Sequence, residues 1–446
     1  MRSGLQTNEE YENQGVNPVA IVRSCLHNTL NPLLNTFRRS EKEDSGESSL
    51  LKRVADLDMA LVHYEQNLDI PDVHLNFPPF LVEAGNKCRA AGRLLSSSEL
   101  GWSEKPSSDM LNQLMRLKGQ WMRDIHKLTE HTRELKRGTT LQEINYWSVL
   151  RGALEKVNEA LQSYEVQVLF SVLKSSNMIV SAGSFEITTG MKAKLEDVVG
   201  NVELLSGIPM NSLLASSDFA TVRTIVEQIF TQLKKVKNTR GYSISRTVDL
   251  VNSINKDVFN QCMAVLSSQR VFNLTYSHFS SMMNDAASVF KTWEDETVSF
   301  WQFLRELGTR RNDKASLKFQ NTLVPLEERL KVIQAFRDMH ERFVTILQQV
   351  LSTQEQDRDL VHQVMSAYER FRPYNVSDLS ESALSEWELL MKEYNATLDQ
   401  VDQSLVDTLR TRLENARSTE QMFDVFSRYN ALFFRPRIQG GCVGVV

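Results

Sequence analysis

Histidines beside acidic residues are the positions at which this sequence could hold a metal ion. His340 and Glu341 begin like the helical zinc motif His-Glu-x-x-His, but Val344 stands where the second histidine would fall. His126 and Glu130 are four residues apart, so on a helix they would share one face and could supply two ligands. Two solvated side chains on an exposed face explain this second pair better. We therefore predict no metal site and no other cofactor.

Nucleotide binding and nucleophilic catalysis leave no signature either. A phosphate-binding loop needs a Gly-Lys pair, because backbone amides cradle the phosphates while the lysine balances their charge. The sequence contains no Gly-Lys dipeptide, and the glycine-bearing segment 183–190 is followed by Met-Lys at the wrong spacing. The eight histidines are scattered without a local motif. We predict that the chain is not an enzyme. The one enzyme class considered as an alternative is an ATPase, and the phosphate-binding loop that an ATPase needs is missing from the sequence.

Charge and hydropathy exclude two kinds of partner. The chain carries 51 Lys and Arg against 56 Asp and Glu, a net charge of −5, so it lacks the basic excess that binding to nucleic acid requires. No run approaches eighteen apolar residues, which predicts no membrane insertion. A basic cluster, Lys234, Lys235, Lys237 and Arg240, could be a partner-binding patch. The stronger interpretation is that these cations lie at the carboxyl end of a helix, where positive charge stabilises the last carbonyl groups.

The four cysteines are far apart and form no Cys-x-x-Cys pair, which favours a reducing compartment over a disulfide-bonded protein. Residues 1–16 are polar and contain no apolar stretch that could act as a signal peptide. With 41% hydrophobic residues, the chain has enough apolar mass to form real cores. Together these features predict a soluble intracellular protein.

The elements that position these residues are predicted from a shortage of helix breakers. The sequence has 18 glycines and 10 prolines in 446 residues. Between Tyr242 and Arg435 the only prolines are Pro325 and Pro373, and the only glycine is Gly308. Folds built on strands and turns use both residue types at each reversal, so an all-β or dinucleotide-binding α/β fold is excluded over this stretch.

Apolar residues recur at steps of three and four through most of the chain, which predicts amphipathic helices. Helices are predicted within 18–39, 54–68, 110–128, 144–168, 219–236, 248–265, 272–307 and 326–351, and from about 378 to 413. The last is predicted to begin at a capping box formed by Asp378 and Glu381. Only 178–210, with its four glycines, leaves room for short strands.

Long helices with one apolar stripe each must pack against one another to be stable. The predicted fold class is therefore all-α, with successive elongated bundles forming a rod and at most a minor β segment near 178–210. The predicted divisions are a largely disordered leader with one short helix and an acidic linker (1–50), a first bundle region (51–210) and a second (211–372). An incomplete further bundle (373–440) and a short tail of different composition (441–446) follow.

The candidate binding residues lie near the end of the chain, where apolar side chains follow one helix and aromatic residues crowd together. A surface of this kind needs another element to cover it. No catalytic, cofactor or metal residue is predicted. The predicted partner-binding residues are Leu384, Trp387, Met391, Tyr394, Phe423, Phe426, Tyr429, Phe433 and Phe434.

Four strings of sequence resemble the N-terminal tail region of dynein heavy chains, and the cytoplasmic class most of all. They are WMRDIHKLT at 121–129, GTTLQEINYW at 138–147, FKTWEDE at 290–296 and QMFDVFSRYNALFFRPRIQG at 421–440. The last string is long and specific, and the resemblance extends from about residue 17 to about residue 440.

The resemblance implies a function that the residues alone do not show. Dynein heavy chains are minus-end-directed microtubule motors whose distant AAA+ ring hydrolyses ATP and whose helical tail assembles the complex. The implied role is a non-catalytic tail that binds dynein intermediate and light intermediate chains in the cytoplasm, on the microtubule cytoskeleton. A second heavy chain, dynactin and cargo adaptors are further implied partners. A helical-rod adaptor or tether with no motor domain is the alternative.

The two ends of the sequence depart from the family pattern. In the family the dimerising segment lies at the extreme N-terminus, whereas about forty residues precede the first predicted bundle here. The family pattern continues as helix after the last matching string, whereas this sequence ends in GCVGVV. This change of composition predicts a truncated product or an incomplete gene model.

Overall fold

A computed structural model describes residues 70–71, 73–102, 107–131, 139–177, 183–312, 318–351 and 355–442 of the chain. Within these ranges the protein is helical and contains no β-strand. The predictions for 18–39 and 54–68 lie outside the described residues. The α-helices are α1 (Pro79–Ala91), α2 (Ser108–Thr129), α3 (Thr140–Leu161), α4 (Tyr164–Ser175), α5 (Gly183–Ser206), α6 (Met210–Ala215), α7 (Phe219–Leu233), α8 (Ile244–Ser268), α9 (Tyr276–Arg311), α10 (Val324–Val350), α11 (Glu355–Glu369), α12 (Glu381–Glu414), α13 (Thr419–Tyr429) and α14 (Pro436–Cys442).

The all-α fold class is confirmed, and the predicted long helices correspond to α2, α7, α8, α9, α10 and α12. The described part of 178–210, where the sequence left room for a minor β segment, contains no strand, because α5 occupies most of it. Met191, Val198 and Leu205 are buried at intervals of seven residues, which places them on one helical face. A β-carbon at Gly190 or Gly200 would meet no neighbouring atom, so these glycines need no special backbone and cost only about 1 kcal/mol each in helix propensity.

The single helix predicted over 144–168 is also wrong, since the chain breaks between α3 and α4. Ser163 is extended (φ −66°, ψ 154°), and its hydroxyl accepts a hydrogen bond from the backbone N–H of Val166. A serine in this position caps a new helix instead of continuing the old one. The apolar periodicity continues across the break because α3 and α4 each bury an apolar face.

The predicted start of α12 is correct within a few residues, but the capping residue is not Asp378. The hydroxyl of Ser380 accepts from the backbone N–H of Ala383, 3.3 Å away, and so caps the helix. The carboxylate of Asp378 accepts from the backbone N–H of Ser380 at 2.9 Å, so Asp378 lies two residues before the capping position. With 34 residues, α12 is about 51 Å long.

The described residues form two compact units. The first comprises those up to Ile208 together with Gln232–Ser253, and the second comprises Pro209–Thr231, Ile254–Asn312 and those from 318 onward. The bundle boundaries predicted from the sequence remain a prediction.

In the first unit, α3 packs along α5, and α1 packs on α4. Its core contains the buried carboxylate of Glu143, near the start of α3. This carboxylate accepts hydrogen bonds from Trp147 Nε1 (2.7 Å), the Tyr242 hydroxyl (2.8 Å) and the Arg246 guanidinium (2.8 Å). The guanidinium carbon of Arg246 also lies 5.0 Å from the ring centre of Trp147. A charge in this position is tolerated because each of its oxygens is bonded.

In the second unit, α10, α11 and α12 pack side by side, and α14 lies on α12. The predicted binding residues all belong to this unit. Some lie on α12, and the others lie on α13 or just after it. Across the described residues, no helix has the length and apolar content needed to cross a bilayer.

Candidate partner-binding surface

The structure divides the nine predicted binding residues into two groups. Leu384, Trp387, Met391 and Tyr394 occupy the first part of α12 and span about 15 Å along its axis. The remaining five lie on α13 and in the 3₁₀ turn and loop that follow it.

Trp387 and Tyr394 are not available to a partner in this structure, because both are buried in an aromatic cluster. Trp387 is 6% exposed and lies 5.3 Å from the ring of Phe371 and 5.5 Å from that of Phe336. Tyr394 is 1% exposed and meets Phe336 edge-on at 5.0 Å. Edge-to-face contacts at these distances each contribute about 1 kcal/mol beyond the area they bury. The cluster joins α10, α11 and α12.

A histidine lies inside this cluster without a charged partner. His340 is buried, stacks on Tyr368 with ring centres 4.2 Å apart, and forms a 2.9 Å hydrogen bond between Nδ1 and the Tyr394 hydroxyl. Burial, reinforced by the positive charge of Arg337, lowers the pKa of His340 to about 3. Burial likewise raises the pKa of Tyr394. Both side chains are therefore neutral at physiological pH and form a structural pair inside the aromatic cluster.

Two buried arginines complete the cluster. The guanidinium carbon of Arg329 lies 4.9 Å from the ring centre of Trp387, and that of Arg337 lies 4.3 Å from that of Tyr368. Desolvation lowers the pKa of both groups, because water is replaced by ring faces that compensate only part of the charge. The sequence gives no sign that these two arginines, of all those in the chain, are buried.

Leu384 and Met391 form the outward part of the first group. Leu384 is 43% exposed and Met391 is half-buried. Met391 lines a shallow hollow of about 580 Å³ along α12, together with Glu388, Lys392 and Asp399. The hollow is open and carries charges of both signs, as the rim of a protein interface does.

The second group is anchored by Tyr429 at the end of α13. Tyr429 is fully buried, and the guanidinium carbon of Arg412 lies 5.5 Å from its ring centre. Ser418 caps α13 by accepting from the backbone N–H of Gln421 at 3.2 Å. The Arg428 side chain donates to the carbonyl of Val350 at 2.9 Å, which ties α13 to the end of α10.

Phe434 is half-buried and is held by the same framework. Its ring lies 6.2 Å from that of Phe343, and the guanidinium carbon of Arg342 lies 4.5 Å from its ring centre. Beside it, Arg435 donates to both oxygens of the buried Asp402, with a shortest distance of 2.7 Å to Oδ2. A two-pronged contact of this kind fixes orientation as well as charge, so it holds the segment just before α14 against α12.

Phe423 is the feature of this group that faces solvent. It is 73% exposed, the largest fraction among the large exposed apolar residues described, and Met422 beside it is 41% exposed. Phe426 and Phe433 are half-buried and lie 6.4 Å apart. We call Met422, Phe423, Phe426 and Phe433 the α13 surface. Met422 was not predicted, although its place on the same short helix as Phe423 was a usable signal.

The other predicted sites are simpler. His126 and Glu130 are both exposed on or just after α2. Within the described ranges, no three histidine, cysteine or acidic side chains come together as a metal site would need. Lys235 and Lys237 are exposed in the 3₁₀ turn Lys234–Asn238 that ends α7, where cations favour the helix carbonyls.

Comparison with known proteins gives a consistent result. The family model for the dynein heavy chain, N-terminal region 1, matches residues 111–442. The cytoplasmic dynein heavy chain of Drosophila melanogaster is 30% identical over 93% of this chain and 10% of its own length. That of Caenorhabditis elegans is 29% identical over the same shares. A dynein heavy chain-like protein 1 of Plasmodium falciparum is 31% identical over 75% of this chain and 7% of its own.

This chain therefore spans about a tenth of the length of the relatives it matches. The family model covers well over half of it, including every residue of the predicted binding region. The matched region is the N-terminal one, which is not the ATPase motor domain. The chain belongs to the dynein heavy chain family and corresponds to its N-terminal tail region.

Proposed function

We propose that this chain is a non-catalytic scaffold of a cytoplasmic dynein complex, and that it binds the dynein intermediate chain through the α13 surface. The observation that carries the proposal is the exposure of Phe423 on a short helix whose other side is tied to the core through Tyr429. Membership of the dynein heavy chain family supports the proposal that the complex is a dynein complex. The names of the relatives support a cytoplasmic location.

The α13 surface has the composition of a binding site. An exposed phenylalanine beside an exposed methionine is typical of an interface core, since aromatic residues and Met are enriched there and charged residues are depleted. Fully covering a phenylalanine side chain contributes about 2 kcal/mol. Leu384 and Met391 on α12 form a second, partly exposed apolar strip whose nearer end lies about 17 Å along the helix from Asp402, and we assign this strip to the light intermediate chain. A second heavy chain, dynactin and cargo adaptors are further partners for these faces.

The test uses the full 446-residue chain. Immobilised dynein intermediate chain is mixed with wild-type protein and with the Phe423→Asp variant, and the retained protein is quantified. We expect at least tenfold lower retention of the variant, because a buried carboxylate without a partner is costly. Val298→Asp is the matched control, since Val298 is 54% exposed on α9 and lies outside the α13 surface.

The possible outcomes test the α13 surface and the scaffold role separately. Retention of wild type and of Val298→Asp but not of Phe423→Asp supports both. Equal retention of all three contradicts the assignment of the α13 surface while leaving the scaffold role standing. Failure of both the intermediate and the light intermediate chain to retain the wild-type chain contradicts the scaffold role.

A further inference from the structure

A polar groove of about 1080 Å³ lies on the second unit, and none of its lining residues belongs to the α13 surface. Its walls come from the 3₁₀ turn Val271–Asn273, from one face of α10, from α11 and from the segment after α11. Its volume is slightly larger than that of most small-molecule sites, and the groove is partly open to solvent. A ligand lying in it would be elongated and partly exposed.

One wall of the groove contains an arginine whose charge is poorly compensated. Arg337 is 7% exposed, and its guanidinium stacks on Tyr368 and donates to the carbonyl of Leu274 at 3.3 Å. The nearest carboxylate, that of Glu341, is 4.0 Å away and so beyond hydrogen-bond distance. The buried Nε of Arg337 has no hydrogen-bond partner among the described residues. A desolvated guanidinium in this state gains most from an incoming carboxylate, which it can bind with two parallel hydrogen bonds.

The rim of the groove adds positive charge. Arg270 is exposed and makes no ion pair with any residue that the structure describes. Arg372 is paired with Glu369 at 3.1 Å. Three guanidinium groups and two carboxylates, Glu341 and Glu369, therefore line the groove and leave a net charge of +1. Arg270 and Arg337 are the two guanidinium groups without a carboxylate at hydrogen-bond distance among the described residues.

Side-chain amides occupy several of the other polar positions in the groove. Asn273, Gln348 and Asn375 all line the groove. The Oδ1 of Asn375 already accepts from the backbone N–H of Ser377 at 3.1 Å, which orients its NH₂ group. Amides both donate and accept, as does a peptide backbone, so they suit an extended polypeptide better than a ligand that carries only acceptors.

From this arrangement we propose that the groove binds an extended acidic segment of a partner protein, with one carboxylate of that segment pairing with Arg337 and another with Arg270. The segment lies along α10 and α11, while the amides hold its backbone. This site is separate from the α13 surface, so either can exist without the other.

The experiment uses the full-length chain and a random library of twelve-residue peptides displayed on phage. The best selected peptide is then labelled with fluorescein, and its binding is measured by fluorescence anisotropy. We expect Asp and Glu to be enriched among the selected peptides. Replacing these residues of the peptide by Asn and Gln should weaken binding at least tenfold, and so should raising the salt concentration from 50 to 500 mM.

Two variants of the chain locate the site. Arg270→Glu reverses an exposed charge that supports no fold contact, and we expect it to weaken binding at least tenfold. Arg310→Glu makes the same charge change on α9 at a side chain that is 77% exposed, and binding should stay within twofold. Equal binding by wild type and Arg270→Glu overturns the proposal. So does a selection without acidic enrichment, or one in which no peptide binds below 1 mM.

Discussion

The buried histidine of the aromatic cluster makes the stability of the second unit depend on pH in a predictable way. His340 is 5% exposed, and its neighbours are the ring of Tyr368, the hydroxyl of Tyr394 and the guanidinium of Arg337. The ring face and the hydroxyl offset only part of the cost of desolvating a charged imidazole, and Arg337 opposes the charge. The perturbation is a change from pH 7 to pH 5.

The magnitude follows from two pKa values. The pKa of the imidazole is about 3 in the folded protein and 6.5 for the unperturbed group. Because the folded-state pKa is lower, the unfolded state binds more protons between pH 6.5 and pH 3, and stability falls as the pH falls through this window. Protonation of the unfolded state at pH 5 then costs the folded state about 2 kcal/mol relative to pH 7. Above pH 7 this contribution is constant.

The assay is urea unfolding at pH 7 and pH 5, followed by tryptophan fluorescence because Trp387 reports on the same cluster. His340→Gln is the reference, since a glutamine keeps a polar group near the Tyr394 hydroxyl but does not titrate. Carboxylates elsewhere affect both proteins equally, so their contribution cancels in the difference. We expect wild type to lose about 2 kcal/mol more than the variant between the two pH values. Equal losses in the two proteins would refute the burial of a neutral histidine.

Two further predictions concern buried ion pairs. Asp402→Asn removes the charge that holds Arg435 and should cost about 3 kcal/mol in urea unfolding, whereas Asp399→Asn disrupts an exposed pair and should cost less than about 1 kcal/mol; similar losses would contradict the contrast in burial. Glu143→Gln leaves the guanidinium of Arg246 without a countercharge in the first unit and should cost about 3 kcal/mol, seen as a lower melting temperature in calorimetry. An unchanged melting temperature would contradict the role of that carboxylate.

The helices could be predicted from the sequence because periodicity and missing helix breakers are local properties. α11 was missed, although Leu360, Val364 and Tyr368 recur every four residues, because a polar run precedes them and dilutes the pattern. The break between α3 and α4 was missed for the opposite reason. There the apolar pattern continues across Ser163, and only the backbone conformation of that residue shows the cap.

The candidate surface could be predicted only in part. Trp387 and Leu384 are three residues apart on one helix, yet the first is buried and the second is exposed. Which of them is covered depends on where α10 and α11 lie, and those contacts join residues about fifty positions apart, as between His340 and Tyr394. Periodicity identifies a face of a helix, but not the neighbour that packs on it.

For the same reason, the groove lined by Arg337 could not be predicted from the sequence. Its guanidinium is buried by the ring of Tyr368, which comes from another helix, and the sequence around Arg337 contains no motif. By contrast, the long string at 421–440 was informative without any structure, because its length makes a chance resemblance to the dynein family improbable.

The central claim is that this chain binds the dynein intermediate chain through Phe423, and its affinity for that subunit tests the claim most directly. Biolayer interferometry with purified intermediate chain should give a micromolar or tighter dissociation constant for the wild-type chain. Loss of about 1.4 kcal/mol or more in Phe423→Asp corresponds to at least a tenfold weaker complex, while Val298→Asp should match wild type. Identical dissociation constants for wild type and Phe423→Asp, or no binding by the wild-type chain, would contradict the account.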